Sequence, residues 1–96
     1  MASTMDDATI RRYLGDTRTT VLDIIDTERV RDADEVARVW SARRADLSPA
    51  HARRLPRMAA QLLWQLRNLG WIEQRQQVWV MTDLGRYARR LDHTPT

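Results

Sequence analysis

Arg53, Arg54, Arg57 and Arg67 lie between Leu47 and Ile72, a stretch with no aspartate or glutamate. A guanidinium presents its donors as a fixed planar fork, so it grips a phosphate oxygen pair or the O6/N7 edge of guanine through two parallel bonds. Gln61, Gln65 and Asn68 are interleaved with these arginines. An amide offers one donor and one acceptor side by side, which suits the N6/N7 edge of adenine. Trp64 adds an apolar face with one N–H donor in the same stretch. Downstream, Gln74, Arg75, Gln76 and Gln77 form a second polar cluster whose neutral amides no polyanion repels. Such residues recognise and hold; they do not make or break bonds.

Candidates for bond-making chemistry are few. There is no cysteine, which removes disulfides, thiolate zinc sites and a thiol nucleophile together. His51 and His93 stand alone in sequence, without the closely spaced ligands a metal requires, and receive no role. Asp23 and Asp26 fall on the polar face of a helical segment with no nearby His, Lys or glycine-rich phosphate loop, so capping and solvation account for them. No G-x-S-x-G, Walker-type or H-E-x-x-H segment is present. The expectation is a protein that is not an enzyme and uses no cofactor or metal.

The elements that must position the recognition residues follow from periodicity. Asp6 or Asp7 caps a short first helix with Ile10, Tyr13 and Leu14 at helical spacing, and Gly15 suits the left-handed residue after its end. A second helix spans Thr17 to Thr27, with Val21, Leu22, Ile24 and Ile25 on its apolar face. Glu28 to Asp32 is a connector with room for a short strand at Val30. Asp32 or Asp34 then caps a third helix through Arg44, buried along Val36, Ala37, Val39 and Trp40. Ser48-Pro49 starts a helical turn or two. Proline deep inside a helix costs about 3 kcal/mol, so a break is expected near Leu55 and a fresh helix from Pro56 to Leu69. Its apolar face is Ala59, Leu62, Leu63, Leu66 and Leu69, with Arg57, Gln61, Trp64, Gln65 and Asn68 opposite. Trp71 to Met81 reads as a hairpin around the polar run 74–77, and Thr82 or Asp83 starts a last helix with the stripe Leu84, Tyr87, Ala88, Leu91. Trp40, Trp71 and Trp79 fall on core faces, and the tail from Asp92 to Thr96 is expected to be loose. No internal repeat, low-complexity segment or linker divides the chain, so residues 1–96 form one domain, mainly α with a small β-hairpin.

The segment Ala59, Leu63, Leu66, Gly70, Trp71, Ile72 resembles the V-x3-L-x2-L-x3-G-L-I pattern of recognition helices that enter a wing. Val80, Met81, Thr82, Asp83, Leu84, Gly85, Arg86 resembles the L-T-x-x-G-R segment that closes the wing in MarR-, HxlR- and PadR-like transcriptional regulators. The likeness to this winged helix-turn-helix superfamily runs from about Thr17 to Leu91, with an extra N-terminal helix. It departs from the pattern at 45–55, where an insertion replaces the short turn between the two helices of the motif. The resemblance implies a sequence-specific double-stranded DNA-binding regulator of transcription, with the 56–69 helix in the major groove. Arg57, Gln61 and Gln65 would read bases, with Trp64 and Asn68 on the same face. Arg53 and Arg54 would hold phosphates, and Arg75, Gln76 and Gln77 of the wing would meet the backbone or minor groove. A homodimer would double the contacts of so small a reader, with Ile10, Tyr13, Leu14, Tyr87 and Leu91 as its interface.

Charge and composition agree with that expectation. Residues 1–36 carry five Arg against nine carboxylates, a net −4, and the remainder carries eleven Arg against four, a net +7. One-sided charge is the footprint of a polyanionic partner. A hydrophobic share of 43% with 30% charged residues is a globular balance, and no apolar run reaches membrane-spanning length. Met1 to Asp7 lacks a basic stretch leading into an apolar one, so neither signal nor transit peptide is expected, and the reading is cytoplasmic and nucleoid-associated. Two other functions fit the same residues. One is a winged-helix protein-interaction module presenting Trp64 and the arginines; the other is a plasmid or viral accessory protein that coats DNA with little sequence preference.

Overall fold

Asp6 begins the first helix by lending a carboxylate oxygen to an otherwise orphaned N–H: Thr9 N donates to Asp6 Oδ1 over 2.8 Å. The computed structural model describes residues 6–44 and 46–92. It contains α1 (Asp7–Tyr13), α2 (Asp16–Thr27), α3 (Ala33–Arg43), α4 (Pro49–Asn68), β1 (Ile72–Arg75), β2 (Val78–Met81) and α5 (Asp83–Asp92). The expected loose tail at 93–96, and His93 with it, lies outside the described residues. Asp92 is the last residue of α5. Among the described residues no helix is long and apolar enough to cross a membrane.

The helices start where hydrogen-bonding side chains stand ready. Asp32 caps α3 by accepting from Glu35 N, and Ser48 caps α4 by accepting from His51 N, with Pro49 in the first turn. Gly15 has an extended backbone and precedes α2 as its N-cap, so the left-handed role expected of it after α1 is not used. α1 ends instead on Leu14, whose own N–H still reaches the Ile10 carbonyl.

The largest difference from expectation is α4. No break occurs at Leu55: the helix runs continuously for 20 residues with Pro56 inside it. Proline denies the Ala52 carbonyl its intrahelical N–H, yet the apolar stripe continues on both sides of it. Leu55 is buried upstream, and Ala59, Leu62, Leu63 and Leu66 are buried downstream. Each buried leucine contributes about 2 kcal/mol, so the anchored stripe outweighs one interrupted turn. Most of the supposed insertion at 45–55 is therefore extra helix, since Pro49 to Leu55 are the first turns of α4.

α4 stops by a glycine cap. Gly70 has φ +79, Gly70 N donates to Arg67 O, and Trp71 N donates to Leu66 O, satisfying two of the last carbonyls. The reversal delivers Trp71, fully buried, into the core and opens β1. β1 and β2 pair antiparallel in the register Ile72↔Met81, Glu73↔Val80, Gln74↔Trp79 and Arg75↔Val78. The turn is only Gln76-Gln77, so Gln74 and Arg75 belong to the strand. The strand expected at Val30 reduces to one backbone bond, Trp79 N donating to Val30 O over 2.9 Å. That bond ties the α2–α3 connector to the outer edge of β2.

Thr82 joins the hairpin to α5. Its N–H donates to Trp71 O, its hydroxyl donates to Gly70 O over 2.6 Å, and the same oxygen accepts from Gly85 N as the helix cap. Gly85 is required sterically: a Cβ there would stand 2.0 Å from the Trp71 carbonyl oxygen. The core gathers Val21, Leu22, Ile24 and Ile25 of α2, Val36, Ala37 and Trp40 of α3, the α4 stripe, Trp71, Ile72, Met81, Ala88 and Leu91. Among the described residues, five helices with one two-stranded hairpin, in this order, are compatible with a winged helix.

Candidate nucleic-acid interface

α4 positions the principal cluster by its period. At about 100° per residue, burying Leu55, Ala59, Leu62, Leu63 and Leu66 turns the opposite side outward. Arg53, Arg57, Ala60 and Trp64 follow at i, i+4, i+7 and i+11 along one exposed stripe, flanked by Gln61, Arg67 and Asn68. Arg54, also exposed, sits about 100° round from Arg53. The stripe stands on a helix of 20 residues, about 30 Å long. Arg57 and Gln61 are exposed among the described residues, and Trp64 is 67% exposed. Residues 49–54 are the first turns of Trp64's own helix.

Several arginines elsewhere on the surface are paired with carboxylates, whereas, among the described residues, those of α4 are not. Arg43 and Arg89 converge on Asp23, at 2.6 Å for Arg43, and Arg89 also reaches Asp26 at 2.9 Å. Arg44 pairs with Asp46, Arg75 with Glu73 and Arg86 with Asp83, each at 3.2 Å, and Arg31 lies 3.8 Å from Glu35. Among the described residues, Arg53, Arg54, Arg57 and Arg67 are in no such pair. Asp23 and Asp26 of the acidic N-terminal half neutralise Arg43 and Arg89, and no described carboxylate does the same for the α4 face.

Two expected contact residues are partly committed inside the molecule. Gln65 is half-buried at the edge of the α4 face, where its Oε1 accepts from Arg18 Nη2 over 2.9 Å. It braces α4 against α2, so its carbonyl oxygen is already used. Arg75 is exposed, but its Nε donates to Glu73 Oε2 over 3.2 Å on the same strand. Gln76 and Gln77 are exposed at the turn with φ of 52° and 67°. Two left-handed non-glycine residues in succession are unfavourable, and glutamine is not a usual choice for either place.

The dimer surface expected from α1 and α5 is largely consumed within the monomer. Ile10 is fully buried and Leu91 is 9% exposed, while Leu14 packs against the core. These side chains hold α1 and α5 together and are not free to meet a second copy. Tyr13 and Tyr87 remain partly exposed, at 38% each. Tyr87 Oη donates to Asp7 Oδ1 over 2.6 Å, and that bond raises the phenol's pKa above its ordinary value, with burial and the Asp7 charge adding to it.

Comparison with family models, with curated proteins and with solved structures finds no match for the chain. Its functional reading rests on the residues and their placement.

Ala60, which was not singled out, joins the α4 stripe, and Arg67, counted in the basic cluster but given no contact, lies on its flank. The signal was present: Arg67 follows Trp64 by three residues and Ala60 precedes it by four. Arg29 and Arg31 had no comparable signal. They line a shallow depression of about 260 Å³ with Gln76, Gln77 and Val78. The Trp79–Val30 bond, across 49 residues of sequence, ties that connector beside the hairpin. Among the described residues no group of three or more His, Cys, Asp or Glu side chains is arranged to hold a metal ion.

Proposed function

We propose that the protein binds double-stranded DNA through the exposed face of α4 and acts as a sequence-specific regulator of transcription. The observation that carries this reading is the stripe of exposed arginines and amides on α4, unopposed by any carboxylate, on a helix of the width a B-form major groove admits. Arg57 and Gln61 would face base edges, Arg53, Arg54 and Arg67 the phosphates, and the hairpin turn with Arg75, Gln76 and Gln77 the neighbouring backbone or minor groove. The order of helices, the hairpin after α4 and the glycine-capped junction support a winged helix-turn-helix of the MarR, HxlR and PadR type. The resemblance also motivates a homodimer, for which Tyr13 and Tyr87 are the aromatic groups left exposed on α1 and α5.

The test is binding to duplex fragments across a salt series. Wild type is expected to lose affinity steeply with salt, and Arg53→Ala to reduce the slope of log K against log[salt] by about 0.9, the value of one phosphate contact. Arg57→Ala is expected to cost about 1–3 kcal/mol on the preferred site and to relax base preference there. Absent or salt-insensitive binding would refute the proposal. Equal affinity for all duplexes at one salt concentration would instead favour a non-specific coating protein.

A second reading has an observation of its own in Trp64. An indole 67% exposed is the kind of anchor protein interfaces use. A protein-interaction module would bind no duplex even at low salt.

A further inference from the structure

Resting on the duplex-binding reading, we infer that Trp64 is a specificity-determining residue that recognises the C5-methyl group of a pyrimidine in the major groove. Trp64 contributes little packing to the monomer, being 67% exposed on a helix whose other face fills the core. Ala60, one turn earlier on the same stripe, is also exposed. Together they form an apolar island bracketed by Arg53 and Arg57 on one side and by Arg67 and Asn68 on the other.

The surroundings select the occupant. Unpaired guanidinium groups on both sides demand a polyanion, which excludes an apolar surface large enough to cover the whole face. Within the major groove nearly every accessible group is a hydrogen-bond donor or acceptor; the apolar exception is the methyl on C5 of thymine, or of a methylated cytosine. An indole against such a methyl removes both from water, whereas unmethylated cytosine or uracil offers only a C5–H there and that apolar contact is lost. Ala60 keeps the helix surface low beside the ring, so the base edge can approach. The arginines thus supply affinity and purine reading, and the tryptophan supplies discrimination by one methyl group.

The experiment starts from a duplex selected from a random pool by the full-length protein. Each thymine is replaced in turn by deoxyuridine, which removes only the methyl, and each cytosine by 5-methylcytosine, which adds it. Affinity is measured for wild type, Trp64→Ala and Trp64→Phe. Wild type is expected to bind about fourfold more weakly when one particular thymine loses its methyl, the factor for burying one such group. If a methylated cytosine is the natural feature, methylation at one position is expected to strengthen binding by the same factor. Trp64→Ala should abolish the discrimination with an unchanged salt slope. Trp64→Phe, which keeps the apolar ring and loses the N–H, should retain most of it. Indifference of wild type to every methyl change, or discrimination that survives in Trp64→Ala, overturns the inference while duplex binding stands. Failure of every duplex to bind overturns both.

Discussion

Gly85 and the pair Gln76-Gln77 pose opposite problems to the backbone. At Gly85 the α5 helix passes so close to Trp71 that a methyl group would overlap the Trp71 carbonyl oxygen at 2.0 Å. That neighbour is main chain, already fixed by the bond from Thr82 N, and cannot swing away. Gly85→Ala is expected to lower stability by about 3 kcal/mol, the upper range for overpacking. Thermal unfolding would report it as a fall in Tm of more than 10 °C, at roughly 4–8 °C per kcal/mol for a domain of this size. At the turn the strain is already present: φ of 52° and 67° on two glutamines costs each residue about 1 kcal/mol relative to an asparagine-glycine pair. Gln76→Asn combined with Gln77→Gly is expected to raise stability by about 2 kcal/mol in denaturant titration. No gain would mean that the glutamine side chains themselves support the turn.

α4 shows how burial overrides a local rule. Pro56 removes a hydrogen bond from the eighth residue of the helix, and by propensity alone the helix should stop there. Leu55, 2% exposed and immediately before the proline, is the reason it does not: letting the chain turn away at this point would lift that side chain out of the core. Pro56→Ala restores the N–H donor to the Ala52 carbonyl and loses only the proline's restriction of the unfolded chain, worth about 0.4–1 kcal/mol. The expected net gain is about 2 kcal/mol, with a rise in Tm near 10 °C and unchanged duplex affinity. A variant no more stable than wild type would show that the helix has adapted fully to the proline. Most other boundaries were legible because they depend on residues adjacent in sequence: Asp32 and Ser48 cap the helices they precede, and Gly70 takes the positive φ that ends α4. Gly15 misled because glycine is suited to more than one kind of helix end.

Across the fold the charge segregation has a structural use. Asp23, Asp26, Thr27 and Glu28 of α2 and its end hold Arg43 of α3 and Arg89 of α5, fastening two helices to a third on the outside of the core. Partial desolvation of Asp23 works against its ionisation, but hydrogen bonds and charge from Arg43 and Arg89 outweigh that and leave its pKa below the ordinary value of 3.8. A depressed carboxylate pKa contributes stability that is fully present above the unfolded value and is lost as pH falls through the folded one. Stability is therefore expected to decline below about pH 4, and Asp23→Asn to be less stable at neutral pH with a shallower decline in acid. The carboxylate is 37% exposed, so salt should also weaken the clamp. An Asp23→Asn protein with the wild-type acid profile would remove Asp23 from this role.

The helical faces, the hairpin and the outward position of Arg57, Gln61 and Trp64 were readable from the chain because each depends on local periodicity and on where leucine must hide. The partners of the arginines were not. Whether a guanidinium meets a carboxylate depends on which helices lie side by side, and Arg89 finds Asp23 across 66 residues. The same long-range packing tied Gln65 to Arg18, placed Ile10 and Leu91 inside the monomer and left the α4 arginines unpaired. Spacing along a helix sets direction, whereas neutralisation and burial are set by neighbours that only folding supplies.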